Sequence, residues 1–376
     1  MPLLHQPECL TVTCLQVIAR NFEYIVYGLR DKRHMARILE DDSYLEVEGP
    51  FKHMPSGILE KAMVVIQEES SIRHVQTRHL HVLMQPQLES FVLTFGSGDV
   101  YKALELLQLR CTRLRRLNIS YLSTINPPVL LKLPPNLTQL ISLDLSSTET
   151  SDMVLAAIGQ HCTVLRELNV SNCPVSNKAL TTLFWDSRSH AKMCRLLTVV
   201  NLTGCQVTPA TIRQGLQLQP TLRVADFENN LLAFDPMYSG IWEGEEDFTF
   251  SITSLTATSM TISSVTMETA TAACPFVTSF SLHACTASSD ALLNVMGWQN
   301  LTQLRLTNTD EETIQFTESV LPILTVVGHQ LTALLLSRFT YVNVSVLGVA
   351  CPVLENLALS NIALYEPIII PPKDLF

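Results

Sequence analysis

The chain has few charged residues, no basic stripe and no long uninterrupted apolar run. Only 16% of its 376 residues are charged, and 25 lysines and arginines against 35 acids give a net charge of −10. A nucleic-acid interface needs clustered cations, so we expect no nucleic-acid partner. No stretch approaches the roughly 20 apolar residues of a membrane span, and the first residues do not form a secretory leader. We therefore expect no membrane partner and a cytoplasmic location, with the nucleus as a second compartment.

The sequence also lacks the short motifs of common enzymes and metal sites. It contains no G-x-S-x-G, P-loop, G-x-G-x-x-G or H-E-x-x-H sequence. Its ten cysteines form no C-x2-C pair, so we expect neither a zinc site nor a disulfide framework. His74, His79 and His81 lie close together in the sequence, and we expect them on the surface of a helix or strand. These observations predict a chain that is not an enzyme and has no cofactor and no metal.

What the sequence does contain is an internal repeat. An apolar residue followed by apolar residues three and five positions later recurs every 23 to 32 residues. Eleven such units start at Leu88, Leu114, Leu140, Leu165, Leu197, Leu222, Ile252, Val277, Leu301, Leu331 and Leu354. A period of this length is typical of stacked coils, each of which buries its apolar face against its neighbours.

Each unit predicts one short strand followed by a turn and a helical segment. In the unit at Leu114, Leu117 and Ile119 should point inward, while Arg116 and Asn118 should point outward. A second inward position follows eight residues after the start of the unit. Small residues that can form hydrogen bonds occupy it: Thr148, Cys173, Cys205, Asn230, Cys285 and Thr309.

This pattern resembles the leucine-rich-repeat family, in its cysteine-containing subtype. Four units open with a cysteine, at Cys111, Cys162, Cys274 and Cys351, and core packing explains these thiols better than a metal does. The resemblance implies an α/β solenoid, or horseshoe, with parallel strands on its concave face and a helical N-terminal cap. We predict a cap or adaptor-binding region over residues 1–87, about eleven repeats over 88–364, and a C-terminal tail over 365–376.

Two sets of residues are candidates for binding a protein substrate. Long repeats insert extra residues at 184–194, 234–248 and 310–320, and inserted loops often bind partners. The second insertion places Tyr238 and Trp242 beside a run of acids; the alternative is a solvated loop whose tryptophan covers the edge of the core. The other set occupies outward positions of the strands: Asn118, Asp144, Asn169, Asn201 and Asp226. The alternative is that these are ordinary solvent-facing strand residues.

The N-terminal region carries a pattern that resembles an adaptor-binding motif. Leu10, Cys14 and Ile18 are four residues apart, so on a helix they form one stripe, with a small residue at its centre. This spacing resembles the BC box, which implies that these three residues bind elongin C.

A second N-terminal pattern lies downstream, where Met54, Pro55, Ile58 and Leu59 open a helical segment. It resembles a cullin box, and the pair of patterns resembles the arrangement in elongin-dependent receptors with a Zyg/Zer-like N-terminus. The same segment also resembles the opening of an F-box, which binds Skp. The remaining alternative is an amphipathic cap that only shields the first repeat.

The resemblance implies a substrate-recognition subunit of a cullin-RING ubiquitin ligase, with elongin C or Skp, a cullin and a protein substrate as partners. Such a subunit brings a substrate close to the ligase and carries no chemistry of its own. The rival hypothesis is a protein-binding scaffold that acts independently of any ligase.

Overall fold

We describe the fold from a computed structural model of the chain. It describes residues 10–28, 43–68, 77–93, 100–123, 125–227, 229–239, 249–309 and 313–364. The chain divides into two compact units: the first unit is residues 1–197, and the second unit is residues 198–376.

Eleven short strands confirm the repeat units. Each strand begins two residues after the first apolar residue of its repeat. The apolar residues three and five positions after that first residue must both point inward, and this strand start places them there. The strands of the first unit are β1 (Ser90–Val92), β2 (Arg116–Asn118), β3 (Ser142–Asp144) and β4 (Glu167–Asn169). Those of the second unit are β7 (Val199–Asn201), β8 (Val224–Asp226), β9 (Ser254–Thr258), β11 (Ser279–His283), β13 (Gln303–Thr307), β14 (Ala333–Ser337) and β15 (Asn356–Ser360).

These strands pair in parallel and in chain order. In the first unit β1 pairs with β2, β2 with β3, and β3 with β4. In the second unit β7 pairs with β8, and a five-stranded sheet runs β9–β11–β13–β14–β15. Two shorter pairs complete the set: an antiparallel hairpin of β5 (Trp185–Asp186) and β6 (Ala191–Lys192), and a parallel pair of β10 (Thr261–Ile262) and β12 (Thr286–Ala287). Parallel neighbours require a crossover, and helical segments supply it.

The helices of the first unit are α1 (Leu10–Arg20), α2 (Phe22–Tyr27), α3 (Ser56–Glu68), α4 (Thr77–Leu80), α5 (Val100–Arg110), α6 (Pro127–Asn136), α7 (Asp152–His161) and α8 (Ala179–Phe184). Those of the second are α9 (Pro209–Leu218), α10 (Pro236–Ser239), α11 (Ser264–Ala273), α12 (Ser289–Leu293), α13 (Leu321–Val327) and α14 (Val344–Ala350). Short 3-10 segments lie at Ser43–Glu46, Asn230–Phe234, Asn294–Gly297 and Gly328–Gln330, and a π-helical turn at Phe316–Val320.

The cysteines that open four of the units are core residues. Cys111, Cys162, Cys274 and Cys351 are all buried, as their repeat positions predict. Burial raises the pKa of the Cys111 and Cys162 thiols to about 12, because a thiolate would be poorly solvated there. These side chains therefore act as small apolar groups.

The second inward position, eight residues after the start of a repeat, is buried as predicted in most of the repeats named for it. Thr148, Cys173, Asn230 and Cys285 are buried, while Cys205 is half-buried. The prediction is wrong for Cys205 and for Thr309, which is also half-buried; at Thr309 the preceding Asn308 occupies the interior instead. Asn308 donates to the carbonyl of Ile314 at 2.8 Å and accepts from its N–H at 3.2 Å, so it holds Ile314 close to the end of β13.

The chain leaves most strands through a left-handed residue. In eight repeats the residue five positions after the first residue of the strand has a positive φ: Tyr121, Ser147, Asn172, Gly204, Ser259, Ala284, Arg338 and Asn361. Left-handed backbone costs a non-glycine residue about 1–2 kcal/mol, and its recurrence shows that the repeat geometry imposes the turn.

A threonine ladder links the coils of the second unit on the approach to each strand. The Thr253 hydroxyl donates to the Arg223 carbonyl at 3.0 Å, and Thr278 donates to the Thr253 carbonyl at 3.2 Å. Thr302 continues to Thr278, and Thr332 to Thr302, at 3.1 and 3.3 Å. The hydroxyls thus add side-chain hydrogen bonds to the backbone ladder between consecutive coils.

Candidate protein-docking surfaces

Helix α1 buries one face and exposes an apolar opposite face. Leu15 and Ala19 are buried, and α1 packs against α3. On the opposite side Leu10 is 77% exposed, Val17 is 52% exposed and Cys14 is exposed as well. An exposed leucine and valine on one face of a short helix form a surface that a partner can cover.

The exposed face continues into α2. The Asn21 N–H donates to the Val17 carbonyl at 3.2 Å, and the Ile25 N–H donates to the Asn21 carbonyl at 2.9 Å. These bonds carry the helical turn across the junction of the two helices, so Tyr24 and Ile25, both exposed, extend the same side. We call the surface formed by Leu10, Cys14, Val17, Tyr24 and Ile25 the N-terminal apolar face.

The structure places two of the three predicted α1 residues on this face. Leu10 and Cys14 are exposed on it, whereas Ile18 is half-buried at the border with the packed side. Val17 takes the outward position instead. The four-residue spacing of the motif could not identify Val17, because its exposure depends on where α3 covers α1.

Aromatic and histidine side chains hold α2 against the rest of the first unit. The Phe22 ring stacks on Phe51 with centroids 6.1 Å apart and meets the edge of His79 at 5.8 Å. The Tyr27 hydroxyl donates to the Arg78 carbonyl at 2.6 Å and lies 2.9 Å from Nε2 of His81. The backbone under the N-terminal apolar face is therefore anchored.

The prediction of a surface position for the histidine group is wrong for His79 and His81, which are buried; His74 lies outside the described residues. Burial lowers the pKa of both from 6.5 to about 4, since their charged forms would be desolvated. The positive charges of Arg78 beside His79 and of Arg110 beside His81 act in the same direction. Both rings are thus neutral near pH 7.

The second predicted adaptor set lies at the start of α3. Pro55 is exposed, Met54 and Ile58 are half-buried, and Leu59 is fully buried. The buried side of α3 consists of Leu59, Ala62, Met63 and Ile66, so Leu59 packs in the core and contributes nothing to a surface. Met54, Pro55 and Ile58 remain as candidates for a partner contact.

The predicted substrate residues at the strand ends have hydrogen-bonding roles within the coils. Asn118, Asp144, Asn169 and Asn201 each accept a hydrogen bond from the N–H two residues later, at 3.0, 2.9, 3.1 and 2.9 Å. The Asn169 amide also donates to the Asp144 carboxylate at 3.1 Å. These are Asx turns that start the strand exits, and in each of the four residues they engage one side-chain oxygen in a contact within the repeat.

The second insertion, residues 234–248, lies partly within the described residues. Tyr238 lies in α10 and Asp226 in β8, while Trp242 lies outside the described residues. Near the start of this insertion, buried Asp235 accepts from the Thr266 hydroxyl at 2.7 Å and from the Met237 N–H at 2.8 Å. The insertion therefore begins at a fixed point in the second unit.

Within the described residues, no cluster of three or more histidine, cysteine or acidic side chains has a geometry that could hold a metal ion. Nor does any described helix combine the length and apolar character needed to cross a membrane.

Parallel strands joined by helical crossovers at a 23- to 32-residue period define a leucine-rich-repeat fold. No known protein-family profile and no curated protein matches the sequence. Several solved structures are similar in fold. A chain of the yeast Rad7–Elc1 complex is 15% identical, with 98% of this chain and 97% of that chain covered and a TM-score of 0.49.

Two bacterial proteins are similar as well. The internalin InlF of Listeria monocytogenes is 16% identical over 85% of this chain and 94% of its own, with a TM-score of 0.39. The leucine-rich-repeat protein LegL7 of Legionella pneumophila is 14% identical over 67% and 83%, with a TM-score of 0.39. At these values the similarities carry no argument about function, which must come from the surfaces themselves.

Proposed function

We propose that this chain is the substrate-recognition subunit of a cullin-RING ubiquitin ligase and docks elongin C through the N-terminal apolar face. The repeats would hold a protein substrate, and Met54, Pro55 and Ile58 would contact a cullin. The chain itself would perform no catalysis; it would raise the local concentration of the substrate at the ligase.

The observation that carries the proposal is the exposed, anchored apolar face of α1 and α2. Covering a leucine or valine side chain removes apolar area from water and contributes about 1.5–3 kcal/mol each, which no described neighbour supplies for Leu10 or Val17. Because Phe22 and Tyr27 fix α2 from behind, little ordering would be needed on binding, and ordering is a main cost of association.

The size of Cys14 supports a helical partner. Cys14 has a smaller side chain than Leu10 and Val17, which lie on either side of it along the face, and a small residue at such a point lets a second helix approach closely. An exposed aromatic ring such as Tyr24 at the end of the face suits an interface, where tyrosine combines apolar area with a polar tip.

The test is co-purification of the full chain with the elongin B–elongin C complex. Wild-type protein should retain the complex, and Cys14→Asp should weaken binding by about 100-fold, because a carboxylate would be buried without a partner. Gln16→Asp is the matched control, since Gln16 is on the same helix but away from the apolar face; it should bind as wild type.

Two outcomes would contradict the elongin role. Retention of Skp in place of elongin C, lost in Ile58→Asp, would favour the F-box alternative. Failure to retain either adaptor, with equal behaviour of Cys14→Asp and wild type, would favour a scaffold that is independent of the ligase.

A further inference from the structure

The first insertion forms an ordered hairpin on the first unit. The repeat that starts at Leu165 is 32 residues long, against 25 for the repeat before it, and the extra residues build β5 and β6. The strands pair Trp185 with Lys192 and Asp186 with Ala191. The Met193 N–H donates to the Phe184 carbonyl at 2.8 Å, which ties the hairpin to the end of α8.

The residues that flank the hairpin pack tightly against α7. A Cβ added at Gly159 would lie 2.5 Å from the Leu183 carbonyl oxygen and 3.0 Å from Cε of Met193, so the absence of a side chain permits the approach. Cys194, two residues after β6, is buried, with its thiol 3.7 Å from the Ile158 carbonyl and 3.6 Å from that of Cys162. The insertion is thus a packed part of the fold.

Between hairpin and helix lies a pocket of about 510 Å³, which we call the hairpin pocket. Its walls come from Gln160 and Thr163 at the end of α7, from Lys192 on the hairpin, and from Met193, Arg195 and Leu196 after it. Leu196 is 48% exposed. The pocket therefore combines exposed cations with an exposed apolar side chain.

The charge around the pocket is opposite to that of the whole chain. Two cations, Lys192 and Arg195, and one acid, Asp186, line the pocket, whereas the chain has a net charge of −10. The one acid in the pocket wall, Asp186, accepts from the Arg188 N–H at 3.0 Å and from the Ser189 hydroxyl. In the described residues no carboxylate lies within ion-pair distance of the Lys192 ammonium.

We infer that the hairpin pocket binds an acidic peptide segment of a protein partner, with carboxylates facing Lys192 and Arg195 and an aliphatic side chain against Leu196. A protein segment fits better than a nucleic acid, because an aliphatic side chain of a peptide can cover exposed Leu196, whereas a phosphate backbone presents charged groups to that apolar wall. The inference does not depend on the proposed ligase role.

The experiment is a selection of random 12-residue displayed peptides on the full-length protein, followed by affinity measurements on the recovered peptides. We expect enrichment of Asp and Glu around one aliphatic residue. The recovered peptides should bind the double variant Lys192→Glu/Arg195→Glu at least about tenfold more weakly, since both attractive charges become repulsive. Their affinity should also fall with added salt.

The matched control is Arg113→Glu/Lys178→Glu, which makes the same charge change at exposed positions of the same unit outside the pocket. It should bind the peptides as wild type does, and circular dichroism should show both double variants folded. Peptides without acidic enrichment, or equal binding by the two double variants, would overturn the inference. So would binding of a dT20 oligonucleotide that is lost in the pocket variant while no peptide binds.

Discussion

His79 and His81 link the N-terminal helices to the first repeat, and both side chains are uncharged near pH 7. Groups that face them are Glu23 and Tyr27 from the α2 region, Arg78 from α4, and Arg110 from α5. The Arg110 guanidinium donates to the His81 carbonyl at 3.0 Å, and Glu23 lies 3.4 Å from Arg78 and 3.9 Å from His79. Two neighbouring cations and the loss of solvent disfavour a proton on either ring more than the single, half-exposed carboxylate favours it.

The chain should therefore lose stability on mild acidification. In the folded chain the histidine pKa is about 4, and in the unfolded chain about 6.5. Between these values the unfolded state binds more protons, so the free energy of unfolding falls as the pH drops from 6.5 towards 4, by roughly 3 kcal/mol for one histidine. Urea unfolding at pH 7.5, 6.0 and 5.0 measures the change.

His81→Gln keeps a polar partner for Tyr27 but does not titrate, so it should remove the part of this pH dependence that His81 contributes and leave the part from His79. His161→Gln, an exposed histidine on α7, is the control and should leave it unchanged. A urea midpoint that stays constant from pH 7.5 to 5.0 in the wild type would show that the two rings accept protons without cost.

At the scale of elements, the distance between helices of neighbouring repeats depends on whether glycine or a larger residue lies where the two helices meet. Gly159 in α7 lies against the Leu183 carbonyl of α8, whereas a Cβ added at Gly348 in α14 would have no atom within 4 Å. Both glycines are inside helices, where alanine is intrinsically favoured by about 1 kcal/mol. The same substitution should thus have opposite effects at the two sites.

We expect Gly348→Ala to raise the free energy of unfolding by about 1 kcal/mol. Gly159→Ala should lower it by about 1–3 kcal/mol, because the new methyl group must push two backbones apart. Urea denaturation followed by far-UV circular dichroism compares the variants. Stabilisation by both substitutions would mean that α7 and α8 can separate freely.

The elements also show what the sequence could and could not predict. All eleven repeat strands could be located from the sequence. Two apolar residues at a fixed offset must both point inward, and only one assignment of inward and outward positions along the strand buries both. The hairpin at 185–192 could not, since it lies in an insertion that the repeat does not constrain. Likewise, the burial of Leu59 in place of Ile58 is decided by the packing around α3, which spacing along one helix does not reveal.

At the scale of the whole molecule, each repeat depends on its neighbours for burial, and the last described repeat differs from the one before it. Leu334 in β14 is 1% exposed, whereas Leu357, at the same position of the next strand β15, is 44% exposed. The side chains are identical and their strands are paired in register. Their difference therefore reports the contribution of a following coil.

Leu334→Ala should cost about 2–5 kcal/mol of unfolding free energy, the usual range for a buried leucine. Leu357→Ala should cost about 1 kcal/mol or less, because much of its side chain already contacts water. Equal losses in the two variants, measured by urea denaturation, would indicate that residues beyond Leu364 cover the last described coil in solution.

The exposure of Cys14 offers a direct chemical handle. Among the nine cysteines in the described residues, Cys14 is the exposed one, and burial raises the pKa of the Cys111, Cys162 and Cys194 thiols to about 12. Maleimides react with the thiolate form, so in a Cys9→Ser background a fluorescent dye should attach to Cys14 far faster than to the buried thiols. Such a dye would sit where an adaptor helix is expected, and its emission would report the arrival of a partner in real time.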